Sequence, residues 1–313
     1  MTATDDGPQH SGELLPPIKS LTPIQRRLLS MPTPEEDEDI SVLYQHSVLC
    51  QTSMPYRNPG DDVRLWERLN GIVHLEIQAG RALNPETSKF VDVGLPFGPK
   101  PRLVLYHLNT EAIRTRSPVI ELEDSLTAFV RRTLGLDAGG RNIRTVKDQL
   151  SRLAAADFRF GAVHEGRAVT VKSTIIEGSE IWTPRDPHQL ILWPSTVQFS
   201  DKYFQSLVNH AVPLNEMAVA RLAHSAMALD IYAWLAQRLH RVKPRNPALV
   251  PWVSLHAQFG HGYGRIRDFK REFRDQLRAV KAVYPEARLF EDGKGMHLSN
   301  SRPPIAQRLL PLK

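Results

Sequence analysis

The chain has 313 residues, a formal charge of +6, one cysteine (Cys50) and 41% apolar residues. One thiol excludes an internal disulfide framework, and no run of eighteen apolar residues or charged-then-apolar leader marks a membrane span or an export signal, so the sequence reads as cytoplasmic. The charge is unevenly placed: residues 1–40 hold eight acidic residues against three basic ones, a balance of −5, which leaves +11 on the remainder and suggests a polyanionic partner.

Residues 1–40, rich in Pro, Ser, Thr and acidic residues around one apolar and basic piece (Leu21–Leu29), read as a disordered acidic tail. Order is expected from about residue 41, where ISVLYQHSVLC mixes apolar and helical signals. Residues 95–160 give the sharpest pattern. Pro99 and Pro101 open a first helix with Leu103, Leu105, Tyr106, Leu108 and Ile113 available for the core. VIELE (119–123) is a short strand, and SLTAFVRRTLG a second helix capped by Asp124 or Ser125 and stopped at Gly135. After the Gly139-Gly140 turn, a third helix from Arg141 to about Ala156 places Ile143, Val146, Leu150 and Leu153 on one side. Arg141, Arg144, Thr145, Asp148, Ser151 and Arg152 fall on the other. DFRFGAV (157–163) and VTVKSTII (169–176) form a wing, followed by strands QLILW (189–193) and TVQF (196–199). Helix, strand, helix, helix and hairpin in this order predict a winged helix over residues 41–199.

The same plan returns over residues 200–302. Helical sequence runs from Asn215 to Val242, PRNPALVP reads as a linker, and WVSLHAQFG (252–260) as a strand. Three glycines, Gly260, Gly262 and Gly264, then lead into a helix from Arg265 to Tyr284. Its core stripe is Ile266, Phe269, Phe273, Leu277, Val280 and Tyr284. Arg267, Arg271, Arg274, Asp275 and Arg278 lie opposite, with Lys270 and Lys281 at the flanks. ARLFED-GKG-MHLSN closes as a hairpin with its glycines at the tip, and residues 303–313 form a C-terminal tail. The predicted fold class is therefore α+β: two tandem winged-helix domains after a disordered N-terminal tail.

A helix with one face buried and arginine forks on the other suits the major groove of duplex DNA; the competing reading is a solvated charged face steadied by i,i+4 pairs such as Arg144–Asp148. Two such helices, each directly before a hairpin, favour DNA. The expected contacts are Arg141, Arg144, Thr145, Ser151 and Arg152 in the first unit, and Arg267, Lys270, Arg271, Arg274 and Arg278 in the second. Arg167 and Lys172 in the first wing and Lys294 near the second tip join them as phosphate or minor-groove contacts. Catalytic patterns are lacking: His256 and His261 have no zinc-spaced partner, the Gly260–Arg265 turn lacks the Lys-Ser/Thr ending of a phosphate loop, and no carboxylate pair suits two metals. No enzyme activity, cofactor or metal is expected, and Cys50 reads as a packed thiol.

A family resemblance accompanies this pattern. QTSMPYRNP (51–59), WERLNG (66–71), LEIQAGRALNPETSKFVDVGLPFGPKPRL (75–103), LNTEAIRTRSPVIELEDSLTAFV (108–130), GGRNIRTVKDQLSRL (139–153), PLNEMAVARLAHSAMALDIYAWLAQRL (213–239) and LFEDGKGMHL (289–298) resemble the plasmid-encoded RepA replication initiators. The resemblance implies an initiator that binds repeated duplex sites at a plasmid origin. It also implies partners: the host initiator, the replicative helicase and a second copy of the chain in a homodimer. The residues leave open a winged-helix transcriptional repressor, including an autorepressor, and an interaction scaffold whose basic faces meet an acidic protein.

Overall fold

The computed structural model describes residues 41–84, 87–123, 125–164, 167–179 and 196–305. The expected acidic tail, the strand at 189–193 and residues 306–313 lie outside them. The fold is α+β, as expected. Strand β1 (Val42–His46) leads into a short helix α1 (Ser47–Gln51), whose first turn is capped by the His46 ring accepting from the Val48 N–H. Two hairpins follow that the sequence reading had not resolved: β2 (Leu65–Asn70) with β3 (Val73–Gln78), and β4 (Arg81–Asn84) with β5 (Lys89–Asp92). Strand β3 alternates cleanly, with Leu75 and Ile77 buried, whereas Leu65 and Leu69 of β2 and Leu83, Phe90 and Val91 of the β4–β5 hairpin are exposed.

Helix α2 (Pro99–Thr115) begins as expected, at Pro99 behind Gly98 with φ +76°. It is followed by β6 (Val119–Glu121) and the short helix α3 (Leu126–Ala128), capped by Ser125 and continued as a π-turn over Phe129–Thr133. Helix α4 (Gly140–Ala155) runs into a hairpin of β7 (Asp157–His164) and β8 (Arg167–Thr174). Strands β9 (Ile176–Ser179) and β10 (Thr196–Phe199) complete this half. Besides the β4–β5 pair, two sheets result, β2-β3-β7-β8 and β6-β10-β9, so the β7–β8 hairpin is extended by the β2–β3 hairpin.

Helix α5 (Asp201–His210) and strand β11 (Ala211–Asn215) precede α6 (Glu216–Leu222) and α7 (Ala226–Arg238), two helices separated where Ser225 caps the second. Then come β12 (Ala248–Pro251), α8 (Trp252–Phe259), α9 (Ile266–Val283), β13 (Leu289–Glu291) and β14 (Gly295–Leu298), with sheet order β12-β14-β13. Two expectations are corrected here. WVSLHAQFG is the helix α8, not a strand, and the strand lies just before it, in the segment read as a linker. The reason is spacing: Trp252, Leu255 and Phe259 are buried at i, i+3 and i+7, whereas Val253 is 74% exposed.

The order helix, strand, helix, helix, hairpin thus occurs twice, as α2-β6-α3-α4-β7-β8 and α7-β12-α8-α9-β13-β14. Two glycines stand at backbone crossings, one ahead of the first copy and one inside the second. A Cβ on Gly80 would stand 1.7 Å from the Ala155 carbonyl oxygen at the end of α4, and one on Gly295 would stand 2.2 Å from the Val250 oxygen of β12.

The two copies share one continuous core running from Leu49 to Leu298. The boundary expected between residues 199 and 200 is bridged in three ways. Strand β1 pairs antiparallel with β11, Val42 opposite Asn215 through His46 opposite Ala211. Helix α5 packs on α2, β1 and β8 of the preceding half. Arg102 of α2, 1% exposed at its side chain, donates from Nε and Nη2 to the Asp230 carboxylate of α7 at 2.7 and 2.8 Å. Its remaining N–H groups reach the carbonyls of Met54 and Gly98 at 2.8 and 2.6 Å, so the buried guanidinium is satisfied on every side.

Candidate nucleic-acid interface

The second copy builds its outer face on α9. Phe269, Phe273, Leu277 and Val280 are buried against Trp252 and Phe259 of α8 and against α7, which fixes the angle of the helix. At 100° per residue, Arg267, Arg271, Arg274 and Arg278 then form one stripe about 60° wide on the opposite, exposed side. Lys270 flanks it, with Nζ 4.8 Å from the centre of the Trp252 ring. Three of the arginines have carboxylate partners. Arg271 lies 3.7 Å from Asp268 and Arg278 pairs with Asp275, both within the helix. Arg274 instead reaches across to Glu291 on β13 at 2.6 Å. Pairs this exposed are worth little in water and yield readily to a phosphate. Arg267 has no ion-pair partner among the described residues.

The hairpin beside it is held by Asp292. Its Oδ1 accepts from the backbone N–H groups of Lys294 and Gly295 at 2.8 and 3.0 Å, and its Oδ2 meets His297 Nε2 at 2.8 Å. These contacts, that of His297 above all, hold the carboxyl down at about 2. The exposed Lys294 is therefore presented at a rigid tip. Phe290, also exposed, stacks flat on His297 at 4.3 Å.

The first copy differs. Arg141 and Arg144 on the first turns of α4 are exposed and have no ion-pair partner among the described residues. Thr145 turns its hydroxyl back to the Arg141 carbonyl at 2.8 Å, and Ser151 is half-buried. Arg152, expected on the DNA face, is folded down: 11% exposed, it bonds Asp148 at 3.0 Å and Asp61 at 2.9 Å, and its guanidinium lies 5.3 Å from the centre of the Phe97 ring. The loop carrying Asp61 was invisible to a helical-wheel reading, which knows only residues of the same helix. Arg167 and Lys172 are on β8, opposite His164 and Arg159.

The sequence reading also missed residues. Arg131 and Arg132 sit exposed on the π-turn before α4, and Arg57 lines an open cleft of about 160 Å³ with Tyr56, Trp66, His261 and Tyr263 beside the start of α9. Glu291 was missed because its role depends on a contact seventeen residues away; the only signal was an acidic residue on a hairpin next to a basic helix. Among the described residues no group of three His, Cys, Asp or Glu side chains could hold a metal ion, and no helix is long and apolar enough to cross a membrane.

Comparison with known proteins gives one family and one fold. The family described as plasmid encoded RepA protein matches residues 95–253, from the strap before α2 to the start of α8. Among solved structures, a crystal structure of domains 2 and 3 of RctB (selenomethionine derivative) superposes with a TM-score of 0.50 at 11% identity, covering 82% of this chain and 99% of that one. A second structure of RctB domains 2–3 gives 0.49 at 12% identity, covering 80% and 94%. No curated protein matches.

Proposed function

This chain belongs to the plasmid-encoded RepA protein family, and from that premise we propose that this plasmid replication initiator grips repeated duplex sites at its origin through two winged helices. The units are α2-β6-α3-α4 with the β7–β8 wing and α7-β12-α8-α9 with the β13–β14 wing. Helix α9 is the principal reader and α4 the lesser one. The observation that carries this reading is the α9 stripe of Arg267, Arg271, Arg274 and Arg278, exposed on a helix whose other face is buried from Phe269 to Val280. A fixed inner face sets the angle at which the helix enters the major groove, and the guanidinium forks supply donors for base edges and phosphates. The free Arg141 and Arg144 give α4 a smaller positive surface, suited to phosphates on the same duplex. Recruitment of the host initiator and helicase, and a homodimeric form, belong to the proposal on the strength of the family alone.

Footprinting the full chain on DNA flanking its gene tests the reading. Protection of a set of direct repeats, with affinity falling steeply as salt rises, is expected. A single inverted repeat would point to a repressor instead, and no protection with a folded protein would point to an interaction scaffold.

A further inference from the structure

Of the four stripe arginines, Arg274 alone is braced from outside its own helix. Its Nε lies 3.1 and 3.0 Å from the two carboxylate oxygens of Glu291, and its Nη2 lies 2.6 Å from Oε1. Beneath it, the Trp252 ring centre is 5.5 Å from the guanidinium carbon. Carboxylate and indole come from β13 and from the first turn of α8, so three separate elements fix one planar group. Arg271 and Arg278 have only carboxylates of α9 itself, and Arg267 has none among the described residues.

What the brace leaves open decides its use. A guanidinium has five N–H bonds. Glu291 takes the side formed by Nε and Nη2, while the end formed by Nη1 and the second Nη2 hydrogen has no partner among the described residues. That end is the pair of parallel donors that fits guanine O6 and N7 in the major groove. The same carboxylate makes Arg274 a poor phosphate clamp, because a phosphate drawn to the arginine would stand beside a second negative charge. A neutral base edge meets no such repulsion, and the rigid guanidinium loses little freedom on binding.

We propose that Arg274 reads a guanine of the recognised duplex and that Glu291 is its positioning residue, whereas Arg267, Lys270, Arg271 and Arg278 serve phosphates. This rests on the DNA-binding reading above and adds to it a division between base and backbone contacts.

The experiment measures binding of the full chain, at fixed salt, to the footprinted site and to every single base-pair substitution of it. Wild type, Arg274→Ala, Glu291→Ala, Glu291→Gln and the double alanine variant are compared. At one G·C pair the wild type should lose about 5- to 150-fold on substitution. Arg274→Ala and Glu291→Ala should both flatten the preference at that pair and at no other, and the double variant should do no more than Arg274→Ala. Glu291→Gln, which keeps the shape of the side chain and one acceptor, should keep part of the preference, and guards against a folding artefact at Glu291→Ala. The proposal is overturned if Glu291→Ala keeps the full preference, or tightens binding to all sequences alike, or if Arg274→Ala weakens all sequences equally and lowers the salt slope by one. Wild type that binds duplex DNA but shows no guanine preference overturns this inference alone; wild type that binds no duplex overturns the DNA-binding reading with it.

Discussion

Helices α4 and α9 have the same amphipathic design in sequence, yet only α9 keeps its basic face open. On α4 the outward stripe is closed at its C-terminal end, where Arg152 folds onto Asp61, Asp148 and the Phe97 ring. On α9 the arginines stand out along the whole helix, and Arg274 reaches beyond it to Glu291 of the last hairpin and to the Trp252 ring of α8. The loop that closes α4 begins some eighty residues earlier in the chain, so nothing local to the helix announces it.

The largest effect is expected from breaking the link between the two halves. Asp230→Ala leaves the Arg102 guanidinium buried without its counter-charge, a change that costs about 3–5 kcal/mol. Urea unfolding should show the lower midpoint. It should also show a single transition, since β1–β11 pairing and the shared core couple α2 to α7. Two transitions would mean that α4 and α9 belong to bodies that unfold independently. Cutting the chain at residue 200 tests the same point more severely: it separates β11 from β1 and α7 from Arg102, so the fragments should fold poorly alone.

The second effect starts at β1. His46 is buried against the rings of Phe160 and Tyr203, and its Nε2 contacts Ser206 Oγ at 2.9 Å. Burial, helped by the nearby His210, pushes its pKa down from 6.5 to about 3. The folded state therefore refuses a proton that the unfolded chain accepts below 6.5. Stability is fully present above that value and falls as pH drops from 6.5 towards 3, by about 2 kcal/mol at pH 5. Unfolding free energies of wild type and His46→Gln at pH 7.5 and 5 check the sign: the variant should lose less between the two.

The elements that the sequence disclosed are those whose signals are local. Helices α2, α4 and α9 have apolar stripes at helical spacing, Ser125 caps where a serine should, and the Gly293–Gly295 tip turns the last hairpin, whereas the break that Ser225 caps inside the stretch from Asn215 to Val242 was not read. Helix α8 was misread because Val253, Leu255, Ala257 and Phe259 alternate as a strand would while Trp252, Leu255 and Phe259 have helical spacing, and Pro251 before it marks a helix start as well as a strand end. The β4–β5 hairpin escaped because Leu83, Phe90 and Val91 are exposed, whereas β3 was missed although Val73, Leu75 and Ile77 alternate along it. In the candidate interface, the residue types and the stripe on α9 were legible. The pairing of Arg152 with Asp61 and of Arg274 with Glu291 was not, because each partner is placed by tertiary packing.

A third effect separates phosphate from base contacts on α9. Arg267→Ala and Arg271→Ala should each weaken binding by about 1 kcal/mol across all sequences and lower the salt slope by about 1. Titrations at several salt concentrations supply both numbers. Loss of preference at a particular base pair in either variant would move that arginine from phosphate to base.

The smallest effect is the direct test of the contrast between the helices. Arg144→Ala removes an exposed cation from α4 and should reduce affinity less than Arg267→Ala does, with no change in stability. Arg152→Ala should do the reverse. Its guanidinium is committed to two carboxylates and a ring, so removing it leaves Asp61 and Asp148 to the solvent and strips packing from Phe97. DNA affinity should hold while the thermal midpoint drops by a few degrees, an effect of about 1 kcal/mol. If Arg152→Ala instead weakens DNA binding at unchanged stability, the arginine must leave Asp61 to meet a phosphate. The closed face of α4 would then be a face that opens on DNA.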